Sequence, residues 1–231
     1  WAQAGIQIFA ANSGSDTTND GMSLTSPCQH IVQAANIIYN NTDNQGSAPT
    51  ILLKGGDTFP ECVTLQGQIT GYNVGLITST SGTGTSGGAT WGNVTGTCTS
   101  NSLLLIADNA EWQVQNILFT NASGTSGIYG IFVHQTGILD VLDGVAFGSH
   151  PGSYNIGTDH GASLGISSSY QINGGTAWLG FASLGSATTM TECGACTVTF
   201  SGGPTFTTYY TLVGAGSTLL MAPSHAYSGT K

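Results

Sequence analysis

Three carboxylates and an imidazole, Asp140, Asp143, Asp159 and His160, are the residues of this chain best suited to chemistry. Cleaving a glycosidic bond needs two carboxyl groups flanking it. They stand about 5–5.5 Å apart in a retaining enzyme and about 6.5–9.5 Å apart in an inverting one. Asp140 lies inside the alternating run Ile138-Leu139-Asp140-Val141, so with Leu139 and Val141 facing inward it faces outward. Asp143 falls just past that run. Asp159-His160-Gly161 falls in the turn of the following repeat, with His160 as an assisting group. Stacking of repeats is the way these residues would meet. The competing reading is that all four are solvated turn residues, since Asp side chains bond their own turns.

Other groups offer binding rather than reaction. Trp91, Tyr129, Tyr154, Trp178, Tyr209 and Tyr210 lie in or near turns. Sugar rings stack on such aromatic faces, and contact between subunits is an equally good use for them. Cys193-Gly-Ala-Cys196 has redox or zinc-knuckle spacing. A zinc site needs two further soft ligands, and no second Cys-x-x-Cys or His-x-x-x-His exists. A turn disulfide between Cys193 and Cys196, or plain buried thiols, is the expectation. Cys28, Cys62 and Cys98 make the count odd. Asp16, Asn19 and Asp20 miss the ligand spacing of a calcium loop and read equally as a turn. No metal ion and no cofactor is expected.

The composition excludes several classes of function. Lys and Arg total 2, both lysines (Lys54 and Lys231), and the net charge is −9. Charged residues are 6% of the chain, against a usual share of about 25%. Binding to nucleic acid requires cations that displace counterions from phosphates, and these are missing. Attraction to anionic lipid fails for the same reason, and no run approaches the roughly 18 apolar residues of a membrane span. The sequons at Asn40, Asn93 and Asn121 carry meaning only in a eukaryotic secretory setting. Trp1 stands first with no charged stretch and apolar core behind it, so processing or a larger parent chain is expected.

The elements that must position these residues form a degenerate repeat. Val114, Val141, Ile166, Val198 and Leu219 recur at intervals of roughly 20–30 residues. Each ends a short alternating run that is followed by a break and a second apolar or aromatic position. Alternating strands joined by Gly/Ser/Asn turns predict a β-helix rather than a helical array. Thr50–Leu53, Cys62–Leu65, Val74–Thr78 and Leu103–Ile106 read as further strands. Ser79 to Gly88 has no apolar anchor and reads as an exposed loop. Ser26-Pro27 is a good helix start, and Ile31, Ala35, Ile38 and Tyr39 follow at helical spacing, predicting one helix from Pro27 to Asn40. A helix there would cover the open apolar end and strand edge of the first coil. The division expected is 1–49 for the first strand, turn segment and capping helix, and 50–231 for the coils. The last coil, ending Tyr227-Ser-Gly-Thr-Lys231, calls for a cap, a partner subunit or more chain.

The stretch Gly14-Ser-Asp16-Thr-Thr-Asn-Asp20-Gly21, then Ser26-Pro27, Ile31 and Ala34-Ala35, then Gly56-Asp57-Thr-Phe-Pro-Glu61, resembles the amino-terminal cap of pectin-lyase-like right-handed parallel β-helix proteins. The resemblance implies an all-β right-handed solenoid with an amino-terminal capping helix. It implies no single activity, since that superfamily spans lyases, glycosidases, tailspikes and adhesins. Its lyases use a basic residue, often arginine, and none is present; Lys54 and Lys231 lie away from the middle of the rod. Asp159-His160-Gly161 resembles the Gly-His-Gly of polygalacturonases, whose paired-Asp and Arg-x-Lys motifs are absent. The charge-poor, Thr/Gly/Asn-rich coils resemble phage tail-fibre or tailspike modules, which implies a homotrimer with side-by-side axes. The expected function is then a structural and receptor-binding part of a virion appendage, extracellular, in contact with other virion proteins and with host surface polysaccharide. A polysaccharide depolymerase using Asp140, Asp143 and Asp159 is the alternative, and a secreted or cell-surface bacterial adhesin is a third reading.

Overall fold

Short runs in which every second residue is apolar become strands with one buried face, and Gly, Asn and Asp between them supply turns. A computed structural model of the chain describes residues 6–40, 48–69, 74–79, 92–96, 98, 102–121, 128–174, 177–178, 180–206, 211–220 and 226–229. It is an all-β parallel solenoid with one short helix. Its strands stack into three long parallel sheets of eight, seven and six strands, and a fourth sheet pairs only Ala177–Trp178 with Thr205–Phe206.

Sheet 1 contains Gln7–Ala10, Thr50–Leu53, Gly75–Ser79, Glu111–Val114, Ile138–Val141, Ser163–Ile166, Thr189–Glu192 and Thr218–Leu220. Sheet 2 contains Thr58–Pro60, Gly92–Thr95, Ile117–Phe119, Ala146–Phe147, Tyr170–Asn173, Thr197–Ser201 and Ala226–Gly229. Sheet 3 contains Val63–Gln66, Ser102–Ala107, Tyr129–Val133, Tyr154–Thr158, Gly180–Leu184 and Thr211–Val213. The chain visits sheets 1, 2 and 3 in turn, so each circuit adds one strand to each.

Parallel register turns the alternation into continuous columns of side chains. In sheet 1, Ile8, Ile51, Ile77, Val114, Val141 and Ile166 stack on one another. In sheet 2 the column is Phe59, Val94, Phe119, Phe147, Ile172 and Phe200. Full burial of each such side chain contributes roughly 1.5–3 kcal/mol. The Phe119 and Phe147 rings stack 6.1 Å apart. Trp112 is 0% exposed. It fits because the position beneath it is Gly75, where a Cβ would lie 2.6 Å from the indole.

Two readings of the sequence are corrected. The repeat anchors are not all equivalent, because Val198 belongs to sheet 2 and pairs with Tyr170 and Tyr227. The sheet 1 strand of that circuit is Thr189–Glu192, which puts Glu192 on top of Ile166. Glu192 is 3% exposed and accepts a hydrogen bond from the Tyr170 hydroxyl at 3.2 Å. A carboxylate in an aliphatic column hid the strand from a search for apolar alternation.

The helix starts at Ile31, not at Pro27, and runs to Asn40. Cys28 instead forms a parallel bridge with Ala10: its N–H donates to the Phe9 carbonyl, and its own carbonyl accepts from Ala11. The helix buries Ile31, Ala34, Ala35 and Ile38 and packs against Gln7–Ala10, Thr50–Leu53 and Val63–Gln66. From its outer turn the Tyr39 hydroxyl accepts the Trp112 indole N–H at 3.1 Å. Asp16, Asn19 and Asp20 are turn builders: Asp16 Oδ1 accepts the N–H groups of Gln29 and His30, the Asn19 amide donates to the Pro27 carbonyl, and Asp20 accepts from the Met22 N–H. Among the described residues no helix is long and apolar enough to cross a membrane.

Candidate functional site

The outer face of sheet 3 and its corner towards sheet 1 bring together three aromatic rings, two imidazoles and a carboxylate. Strand Tyr129–Val133 sends Ile131 and Val133 into the core and leaves Phe132 on the outside. In the next circuit the residue in register with Phe132 is Gly157. A Cβ there would lie 2.5 Å from the Phe132 ring and 2.6 Å from the Tyr129 ring. The glycine therefore lets two aromatic rings lie directly on the backbone.

The rings continue on both sides of that glycine. Tyr129 and Phe132 have centroids 5.0 Å apart, and Tyr129 stacks on Tyr154 at 6.1 Å and 14°. Phe132 stacks on His134 at 5.9 Å, and His134 meets His160 edge-on at 5.1 Å. The result is one row: Tyr154, Tyr129, Phe132, His134, His160. Burial pushes the Tyr129 phenol above its ordinary value of 10.0, partly offset by a hydrogen bond with Ser183. Two of the six sequence-selected aromatics, Tyr129 and Tyr154, thus come together. Trp91, Tyr209 and Tyr210 lie outside the described residues, as does most of the Ser79–Gly88 segment. For Trp178 only its strand is described.

At the corner, His134 and Asp159 occupy equivalent positions in successive circuits. The His134 N–H donates to the Ile106 carbonyl at 2.8 Å, and the Asp159 N–H donates to the Val133 carbonyl at 3.0 Å. Stacking sets the His134 Nδ1 against Asp159 Oδ1. His160 Nδ1 reaches Asp159 Oδ2 at 2.9 Å. His160 has a left-handed backbone, φ 49°. The side chains of His134 and Asp159 are 26% and 23% exposed, and that of His160 is 63% exposed.

Asp140 and Asp143 are elsewhere. Asp140 Oδ1 accepts the Ser167 hydroxyl at 2.5 Å, towards the following circuit. Asp143 Oδ1 accepts the Gln115 amide at 2.6 Å, towards the preceding one. Gln115 in turn accepts from the Thr78 hydroxyl at 3.3 Å. Asp159 precedes a sheet 1 strand and Asp143 follows one. Four residues at about 3.3 Å each put roughly 13 Å between those corners, beyond the about 9.5 Å reach of an inverting pair. Asp159 thus stands at one corner with two histidines, Asp140 lies within the strand Ile138–Val141 beside Ser167, and Asp143 stands past the far end of that strand beside Gln115, so stacking does not bring Asp143 to Asp159.

The sequence reading missed His134, because its relation to Asp159 spans 25 residues. It also missed a disulfide between Cys62 and Cys98, with Cα atoms 5.6 Å apart. Cys193 is disulfide-bonded to Cys196 across the turn that leads into Thr197–Ser201. Cys28 is a buried free thiol whose pKa is raised to about 11, first by burial and then by the charges of Asp16 and Asp20. No family model matches the chain, and no curated protein matches it.

Proposed function

We propose that this chain is a structural and receptor-binding module of a phage-type virion appendage that contacts host surface polysaccharide through the outer face of sheet 3. The observation that carries the reading is the pair of half-buried rings laid over Gly157, where Tyr129 and Phe132, backed by the buried Tyr154, offer aromatic surface beside the polar edge of His134, Asp159 and His160. Apolar sugar faces stack on such rings while carboxylate and imidazole bond the hydroxyls. The near absence of cations suits a neutral or hydrated glycan and disfavours nucleic acid.

The solenoid is right-handed and pectin-lyase-like, and its helix caps the first coil. The assembled particle is a homotrimer with parallel axes. Leu212, Val213 and Leu220 are 39%, 43% and 54% exposed on the last strands of sheets 3 and 1, which favours further apolar cover there. Two disulfides suit an oxidising, extracellular setting. The dispersal of the carboxylates weakens the depolymerase alternative, and a secreted adhesin would use the same ring row.

The test is retention on a panel of surface polysaccharides, with Phe132→Ala and Tyr129→Ala alongside the unaltered chain. Retention that both substitutions reduce at least about tenfold (about 1.4 kcal/mol) supports the reading. Absence of retention, or retention indifferent to both changes, overturns it. New reducing ends would instead establish the depolymerase. Light scattering tests the trimer, which predicts a mass three times the 23.5 kDa of one chain.

A further inference from the structure

We propose that His134, Asp159 and His160 form a binding site for one divalent transition-metal ion. Nothing in this inference rests on the glycan reading. One ligand atom from each of the three side chains lies within 4.8 Å of the others. In tetrahedral or octahedral coordination with bonds of about 2.0–2.2 Å, neighbouring donor atoms sit roughly 3–3.6 Å apart, so small side-chain rotations close the set around an ion. The carboxylate already holds a nitrogen of each imidazole, one on each oxygen. An ion at their meeting point would replace two N–H···O contacts by three metal bonds.

The site is built by the stacking of the corner. His134 and Asp159 are the same corner position in two successive circuits, and the two positions that follow are Gly185 and Gly214, whose N–H groups continue the same column of hydrogen bonds. A Cβ at Gly185 would lie 2.7 Å from the Asp159 Cβ, so backbone closes that side of the carboxylate. Phe132 stacks on the His134 ring and restrains it. Left-handed residues also occur in the neighbouring corner turns, at Asn109 and Ala187. The turn geometry is therefore general, and the imidazoles are particular to this level of the stack. His160, the most exposed of the three, is free to adjust, and water would complete the coordination.

The donor set selects the ion. Two imidazole nitrogens and one carboxylate oxygen suit zinc, copper(II) or nickel(II). Calcium and magnesium require mostly oxygen ligands and are excluded by the same chemistry.

The experiment is calorimetric titration of the intact, chelator-treated chain with zinc chloride, and separately with calcium chloride. The expected result is saturable binding of one zinc per chain, a melting temperature that rises with zinc concentration, and no heat from calcium. His160→Ala and Asp159→Asn are each expected to weaken zinc binding at least tenfold, and His30→Ala to leave it unchanged. His160 is exposed enough that its replacement leaves the fold intact, which circular dichroism checks. No saturable binding up to about 0.1 mM zinc, an affinity weaker than about −5.5 kcal/mol, overturns the proposal. So does zinc binding that His160→Ala and Asp159→Asn leave unaltered, or calcium binding of equal strength.

Discussion

Glu61 Oε1 accepts the backbone N–H of Ile31 at 2.7 Å, and its second oxygen accepts that of Val32 at 3.1 Å. One carboxylate from the turn after Thr58–Pro60 thereby caps the helix across 30 residues. Burial first raises the Glu61 pKa above its ordinary 4.5, and the two backbone donors and His30 pull it back. A carboxylate at a helix amino terminus satisfies donors that no residue of the helix can reach and meets the positive end of its dipole. Glu61→Ala is expected to cost about 1–2 kcal/mol of unfolding free energy, read from urea denaturation. A loss below about 0.3 kcal/mol would mean that water replaces the cap without penalty.

His150 sets an acid limit on stability. It is 0% exposed, its Nε2 lies buried without a hydrogen-bond partner, and burial pushes its pKa from 6.5 down to about 3. Below 6.5 the unfolded chain takes up a proton that the native chain refuses until about 3. Stability therefore falls as pH drops through that window, with a slope approaching about 1.4 kcal/mol per pH unit. His30 acts in the opposite sense: its hydrogen bond to Asp16 raises its pKa above 6.5, so its contribution is present below 6.5 and lost as pH rises. The clean measurement is proton NMR of the His150 ring, expected to show no titration between about pH 5 and 8. A midpoint near 6.5 would refute its neutral burial.

The Cys62–Cys98 bridge closes a loop with a sequence separation of 36. Chain-entropy arguments assign about 3–4 kcal/mol to a loop of that size. Replacing both cysteines by serine is expected to lower unfolding free energy by about that amount, and replacing Cys193 and Cys196 by less, since their loop spans a separation of 3. Equal losses from the two pairs would contradict the entropic account.

Salt should matter little. Among the described residues the ion pairs are Asp16–His30, Lys54–Asp57 at 3.6 Å, and Asp159 with His134 and His160. Each is at least partly exposed, and the stability resides in apolar columns and backbone ladders. Melting temperatures at about 20 mM and about 0.5 M sodium chloride are expected to agree within about 2–3 °C, because screening has few pairs to act on. A larger shift would show that repulsion among the carboxylates limits stability.

Much of the architecture was legible because its signals are local. Alternation in Ile138–Val141 and Ser163–Ile166 marks strands with one buried face wherever the chain goes next. Thr189–Glu192 escaped because a buried glutamate breaks the alternation, and one of its oxygens is met by the Tyr170 hydroxyl, which a neighbouring sheet supplies. The helix start was misplaced for a related reason. Ser26-Pro27 is a strong local signal, yet a backbone bridge from Ala10 to Cys28, the turn that Asp16 holds at Gln29 and His30, and the Glu61 cap on Ile31 and Val32 outweigh it.

The sequence by itself determined the strand pattern, the turn chemistry, the poverty of cations and the presence of Asp159-His160 at a corner. The tertiary structure decided which corner residues share a column. That choice depends on the summed lengths of strands and turns around a whole circuit, and these vary from one circuit to the next. Local alternation is indifferent to that sum. Stacking is strictly set by it, so His134 meets Asp159, Gly157 lies under two aromatic rings, and Asp143 stands a strand's length from the carboxylate it was expected to join.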